Sequence, residues 1–181
     1  MIARRVIMLL VLVTGACAVQ AQSTNLHFIN FSSKDGLSSN TINVIVKDRF
    51  GYIWFGSEDG LSKFDGTRFT VYNHNAVDTS TIRSNFVMSI YEDREGRLWV
   101  GTSKGLSLYD RDRDAFQNIN VTLGNSARTI CADHSGSLWI GSYSGLFRYD
   151  PASGASTYYS AEDGGKSHLA SNMIISILED S

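Results

Sequence analysis

Asp93-Arg94-Glu95-Gly96-Arg97-Leu98-Trp99-Val100-Gly101-Thr102 decides how this 181-residue chain reads. Its first four residues have tight-turn chemistry, with Asp opening the turn and Gly closing it. Leu98–Thr102 is a short run of strand-forming residues. The same order returns at Asp48, Gly51 and Ile53-Trp54-Phe55-Gly56, and again at Asp133, Gly136 and Leu138-Trp139-Ile140-Gly141. Trp54, Trp99 and Trp139 stand 45 and 40 residues apart. Other positions keep step with them: Asn40, Asn85 and Asn125 before each Trp, then Gly60-Leu61, Gly105-Leu106 and Gly145-Leu146 after it. Phe64-Asp65, Tyr109-Asp110 and Tyr149-Asp150 close the three units. A fourth copy opens at Asn172 and reaches Ile177-Leu178-Glu179-Asp180.

Each unit divides into four short strands. In the second they are predicted at Val87–Glu92, Leu98–Thr102, Leu106–Tyr109 and Phe116–Asn120. Four strands in a repeat of about 40–45 residues are the signature of a propeller blade. The expected fold is all-β: an incomplete β-propeller of three four-stranded blades plus the first strand of a fourth, preceded by a signal peptide. The expected boundaries are 1–21 for the signal peptide and 22–35 for an N-terminal ring-closing segment. Blades follow at 36–80, 81–123 and 124–168, and 169–181 opens the truncated fourth. Phe28-Ile29-Asn30-Phe31 resembles Phe69-Thr70-Val71-Tyr72, the outermost strand of the first blade, and is expected to be the strand that fastens the ring.

Composition agrees. Sixteen Gly beside a single Pro, with 3 Trp, 8 Tyr and 9 Phe, suit short strands and turns rather than a helical bundle. A net charge of −2 leaves no basic footprint for nucleic acid. Arg4 and Arg5, the apolar run Val6–Val13 and the small-x-small triplet Val19-Gln20-Ala21 have the order of a secretory signal. The run is too short to span a bilayer. Cleavage would remove both arginines and shift the charge to −4. Cys17 after Gly15-Ala16 raises a lipoprotein variant, against which Thr14 stands three residues upstream. The remaining Cys131 has no partner for an internal disulfide and reads as a buried small hydrophobe.

The repeated residues read as architecture. A Trp that recurs in one register among apolar neighbours packs between blades, although indoles also stack on sugars. The repeated Asp residues read as turn caps rather than catalytic carboxylates. Asp110-Arg111-Asp112-Arg113-Asp114 alternates acids as a calcium loop does. Ala115 and Val121 stand where that loop needs Gly and Glu, so the run reads as a solvated turn. His27, His74, His134 and His168 share no metal spacing, and no nucleophile or phosphate-loop motif is present. No catalytic residue, metal or cofactor is expected. The stretches 73–83 and 160–168 differ between units and are the expected places for ligand contact.

Asn85, Asp93-Arg94-Glu95-Gly96-Arg97-Leu98-Trp99-Val100-Gly101-Thr102 and Gly105-Leu106-Ser107-Leu108-Tyr109-Asp110 together resemble the two-component regulator propeller repeat. Phe31-Ser32-Ser33-Lys34-Asp35-Gly36-Leu37-Ser38-Ser39-Asn40 resembles the start of that family's sensor domains. The third unit departs at Ser126-Ala127-Arg128 and has Ser142 in place of Thr. The resemblance implies a sensor module of a Bacteroides-type hybrid histidine kinase, on the periplasmic side of the inner membrane, reading oligosaccharides to control polysaccharide-use genes. It implies an oligosaccharide ligand, the kinase-bearing remainder of the same sensor as partner, and room for a dimer. A secreted or lipid-anchored interaction scaffold is the alternative, and a propeller glycan lyase or hydrolase the third reading. As an uncapped array, residues 22–181 alone are expected to be marginal or to aggregate.

Overall fold

A computed structural model describes residues 28–162 and 169–180. The signal-peptide segment, His27, His168 and most of the second variable stretch lie outside the described residues. Phe31 onward makes up one compact unit.

Three four-stranded antiparallel sheets account for the strands among the described residues. The first holds β1 (Ile42–Lys47), β2 (Ile53–Ser57), β3 (Gly60–Phe64) and β4 (Phe69–Tyr72), hydrogen-bonded in that order. The second holds β5 (Val87–Glu92), β6 (Leu98–Thr102), β7 (Gly105–Asp110) and β8 (Ala115–Ile119). The third holds β9 (Thr129–Ala132), β10 (Leu138–Gly141), β11 (Leu146–Tyr149) and β12 (Ser156–Tyr159). Each sheet is a meander whose registers repeat: Phe55 faces Ser62 as Val100 faces Ser107 and Ile140 faces Phe147. A bulge falls at the same place in β1 and β5, between Ile42 and Val44 and between Val87 and Ser89. The sheets approach each other through their first strands, β1 beside β5 and β5 beside β9. The fold is therefore the expected row of propeller blades.

The core lies between sheets, because each blade has one face for the blade behind it and one for the blade ahead. Trp54, Leu61, Val44 and Val46 of the first sheet meet Val87, Ile90, Leu98, Val100, Tyr109 and Phe116 of the second, with Ile82 of the connection buried among them. Trp99 and Leu106 of the second sheet meet Ala127, Ile130, Leu138, Ile140 and Phe147 of the third in the same way. On the first sheet the residues equivalent to Ile90, Leu98, Val100, Tyr109 and Phe116 are Ile45, Ile53, Phe55, Phe64 and Phe69. Their face is turned away from the second sheet, and there Phe31 packs on Phe64 and Phe69 at ring distances of 5.0 and 5.3 Å.

Two local expectations change. Phe28–Phe31 forms no strand, and a capped 3-10 turn at Ser33–Asp35 follows it. Residues 172–180 form no ladder either. A strand exists through its partner's backbone groups, and neither segment has a partner strand among the described residues. The second segment nevertheless keeps the blade register. Ile174 donates its N–H to Ser142 O at 2.9 Å, as Ala127 does to Thr102 O at 2.9 Å.

Candidate functional site

The repeated Asp and Trp form one clamp in each blade. Asp48 Oδ1 accepts from the N–H groups of Phe50 and Tyr52, both at 3.0 Å, and Asp48 Oδ2 accepts from the Trp54 indole at 2.9 Å. Asp93 holds Trp99 at 2.8 Å and Asp133 holds Trp139 at 2.9 Å through the same oxygen. Gly51, Gly96 and Gly136 close these turns by donating to the Asp carbonyl at 2.9–3.0 Å, in the left-handed region (φ 92, 83 and 85). Gly56, Gly101 and Gly141 serve another need. A Cβ at Gly101 would stand 2.1 Å from Ser89 Oγ and 2.2 Å from Ala127 O, so the next blade reaches the strand only because no side chain is there. Gly60, Gly105 and Gly145 present carbonyls to the hydroxyls of Ser57, Thr102 and Ser142 at 2.8–3.0 Å.

Trp54 and Trp99 are 0% and 1% exposed, so neither can stack on a sugar. Trp54 instead meets Tyr109 of the next blade edge-on at 4.8 Å, and Trp99 meets Tyr149 at 6.2 Å. Trp139 is partly exposed and stacks on Tyr159 at 5.7 Å. Three of the four repeated Asn residues tie down the segment that precedes their repeat unit. Asn40, Asn85 and Asn172 accept from the N–H groups of Ser33, His74 and Ala161.

The run 110–114 is more than a solvated turn. Asp110 caps it through the N–H groups of Asp112 and Arg113. Arg111 crosses to the first blade, binding Asp48 Oδ2 at 2.9 Å and its own blade's Glu92 Oε1 at 3.2 Å. Asp114, a non-glycine residue at φ 50, accepts from Lys63 at 2.9 Å, from Tyr72 at 2.5 Å and from Tyr109. Four aromatic rings, Tyr52, Trp54, Tyr72 and Tyr109, lie 5.3–5.6 Å from the Lys63 ammonium. Burial alone would lower the Lys63 pKa, but the Tyr109 and Asp114 oxygens hold it above the usual lysine value. Its chemistry is that of a charged latch between two blades, not of a neutral amine nucleophile. Cys131 is half-buried rather than fully buried. Among the described residues no cluster of three His, Cys, Asp or Glu side chains could hold a metal ion.

The first variable stretch is largely spent on the fold. Ser80 O accepts from Phe116 N–H at 2.8 Å, and Asn118 donates to Thr79 O and Thr81 O at 3.2 and 3.1 Å. It therefore covers the outer edge of β8, where unpaired strand groups would otherwise face solvent. An open cavity of about 770 Å³ remains there, lined among others by Arg83, Asp110 and Arg113. The cation Arg113 is already committed to Asp110 at 3.7 Å.

A second cavity, of about 370 Å³, opens where the first strands converge, lined by Asn43, Phe86, Met88, Arg128, Tyr143 and Ile175. Asn43, Met88 and Arg128 occupy one repeat position, eleven residues before the Trp of each blade, and Ile175 is the matching residue of the fourth copy. In the aligned runs 40–46, 85–91, 125–131 and 172–178 the opening Asn and the Ile five residues after it recur, whereas this position changes from Asn to Met to Arg to Ile. Sequence reading noted Ser126-Ala127-Arg128 as a departure but did not connect it to a site. Arg128 is the one charged residue in those four aligned runs, and that is the signal that marks it.

Three in-register four-stranded sheets, clamped Asp to Trp and locked through glycine, define a β-propeller module. Residues 36–59, 81–104 and 123–144, one segment in each blade, match the two component regulator propeller family. Over 67 residues the chain is 40% identical to Histidine kinase P4 of Formosa agariphila, a match covering 37% of this chain and 5% of that protein. The extracellular domain of the hybrid two component system BT3049 from B. thetaiotaomicron superposes with a TM-score of 0.67 at 28% identity, over 80% of this chain and 21% of that one. The corresponding domain of BT4673, from the same organism, superposes with a TM-score of 0.70 at 24% identity, over 83% and 20%; that likeness speaks to the fold. The chain thus spans a small part of the proteins it matches.

Proposed function

We propose that this chain is the ligand-receiving propeller of an extracytoplasmic sensor whose signal is read by a histidine kinase. The observation that carries this reading is the 40% identity to a histidine kinase over 67 residues, with three regulator propeller repeats in register. The likeness to the BT3049 extracellular domain supports placing the propeller outside the cytoplasm. Among the described residues no helix is long and apolar enough to cross a membrane. The ligand is an oligosaccharide, received in the cavity where the first strands converge, because there a rigid repeat scaffold presents residues that differ from blade to blade. Binding would favour one of two ectodomain arrangements, and the kinase would read that bias. The kinase-bearing remainder of the sensor is the principal partner. The boundaries 36–80, 81–123 and 124–168 serve as the units of the ring.

The test joins two measurements. The genomic reading frame beyond codon 181 should continue through further blades and a membrane helix into a kinase. Autophosphorylation of that full product in membrane vesicles should change when an oligosaccharide is added on the propeller side. A stop codon at 182 with an exported, stand-alone product would replace this reading with a secreted scaffold.

A further inference from the structure

The cavity among the converging first strands holds an unusual cation. Among the described arginines, Arg49, Arg68, Arg94, Arg97, Arg111, Arg113 and Arg148 each lie within ion-pair distance of a carboxylate. Arg83 and Arg128 do not, and Arg83 donates to Asn120 Oδ1 at 3.5 Å instead. Arg128 donates through Nη1 to the Tyr143 hydroxyl, and its guanidinium lies 5.0 Å from the Tyr143 ring centre. Its Nε is buried and has no hydrogen-bond partner, and the same is true of Ser126 Oγ two residues earlier. A buried donor left unsatisfied costs about 1–3 kcal/mol, so an acceptor brought to this guanidinium would be favoured. The cavity lining contains no carboxylate, although the chain as a whole is acidic.

The remaining lining fits a ring-bearing ligand. Tyr143 is 48% exposed and Phe86 40% exposed, which leaves aromatic surface open beside the guanidinium. Asn43 donates to Val87 O at 2.9 Å, leaving its side-chain carbonyl to accept from a hydroxyl. A planar guanidinium binds carboxylate or sulfate oxygens through paired N–H groups, and an aromatic face covers a sugar ring beside it. Arg128 is the one charged residue among Asn43, Met88, Arg128 and Ile175, the four residues at this repeat position, so the scaffold itself does not require a cation there.

We propose that this cavity binds an anionic group, a carboxylate or a sulfate, carried on a sugar ring, with Arg128 as its charge partner and Tyr143 as its stacking face. The proposal rests on the sensor reading for the sugar and on Arg128 alone for the charge.

Two measurements on the full chain separate those supports. In the first, inorganic sulfate is titrated while the Arg128 Nε–H signal and the Asn43 and Phe86 amides are followed by NMR. Saturable shifts confined to these groups and weakened at least tenfold in Arg128→Gln, with Arg128→Lys intermediate and the melting temperature of both variants unchanged, support the anion site. Absent shifts, or shifts that persist in Arg128→Gln, overturn it. In the second, the chain is screened on an array holding neutral, uronate-containing and sulfated glycans. Capture confined to uronates or to sulfated glycans, and lost in Arg128→Gln, supports the proposal and tells the two anions apart. Capture of neutral glycans unaffected by Arg128→Gln overturns it while leaving the oligosaccharide reading standing. Sulfate binding with no glycan captured overturns the proposal in its sugar part and counts against the oligosaccharide reading as well.

Discussion

The guanidinium of Arg111 in the second blade binds Asp48 in the first at 2.9 Å, on the carboxylate oxygen that already holds the Trp54 indole. The Asp48 side chain is 0% exposed and the Arg111 side chain 23%. One carboxylate thus closes a turn, fixes a core Trp and ties two blades together. Its counterpart in the third blade, Asp133, meets Arg148 of its own blade at 3.9 Å.

Breaking the inter-blade pair should cost more than breaking the looser one. Arg111→Ala leaves a buried carboxylate with its Trp54 and turn donors but without its cation. The expected loss is about 2–3 kcal/mol, against under about 1 kcal/mol for Arg148→Ala. Urea unfolding followed by Trp fluorescence measures both. Equal midpoints for the two variants would contradict this reading of Arg111.

Acid should loosen the clamps. Burial pushes the Asp48 carboxyl up, but Trp54, Arg111 and the Tyr52 N–H hold it below its ordinary 3.8. Asp133, raised by what burial it has, is brought down to about 2 by Ser135, Trp139 and the turn N–H groups. Asp114 is likewise brought to about 2 by Tyr109, Tyr72 and Lys63 against its own desolvation. A depressed folded-state pKa contributes stability that is fully present above the unfolded value and lost as pH falls through the folded one. Melting temperature should therefore be flat above about pH 5 and fall between about pH 4 and 2. Thermal melts across that range check it, and a fall centred above pH 5 would point to other groups.

Glycine at the blade contact should tolerate substitution least. Gly101→Ala drives a methyl into Ser89 and into the Ala127 carbonyl. Gly51→Ala has nothing within 4 Å and pays only for its left-handed backbone. The expected costs are about 3 kcal/mol or more for the first and about 1–2 kcal/mol for the second. Soluble yield and urea midpoint rank them, and the reverse order would show that turn strain outweighs blade packing.

The stretch 73–83 should come loose when its anchor is cut. Asn118→Ala removes both bonds to Thr79 O and Thr81 O. The predicted loss is about 1–2 kcal/mol, with faster amide exchange at Phe116 as Ser80 O withdraws. Unchanged exchange there would mean that the backbone bond alone holds the stretch.

Much of the architecture was legible because the repeat carries it. Asp, Gly, Trp and Gly at constant offsets announce turn, strand and blade contact without any knowledge of neighbours, and the predicted strands of the second blade lie within a residue of those observed. Phe28–Phe31 and residues 172–180 were read as strands by likeness to Phe69–Tyr72 and Val87–Glu92. Likeness supplies a side-chain pattern, but not a partner backbone. The run 110–114 misled for a related reason. Its charges look free along the chain, yet Arg111 and Asp114 find Asp48 and Lys63 more than 50 positions away.

The amino-acid order by itself determined the blade: its four strands, its turns, its clamp and its period, all set by interactions within one unit. Only the tertiary structure decided what lies between units. It placed Arg111 on Asp48, folded the first variable stretch over β8, and brought Asn43, Met88, Arg128 and Ile175 from successive copies to one cavity. Contacts within a blade span few residues and recur with the repeat, so they can be read along the chain. Contacts between blades join residues about 25 to 63 positions apart, from Thr102 and Ala127 to Asp48 and Arg111, and only the closing of one sheet upon the next brings them within reach.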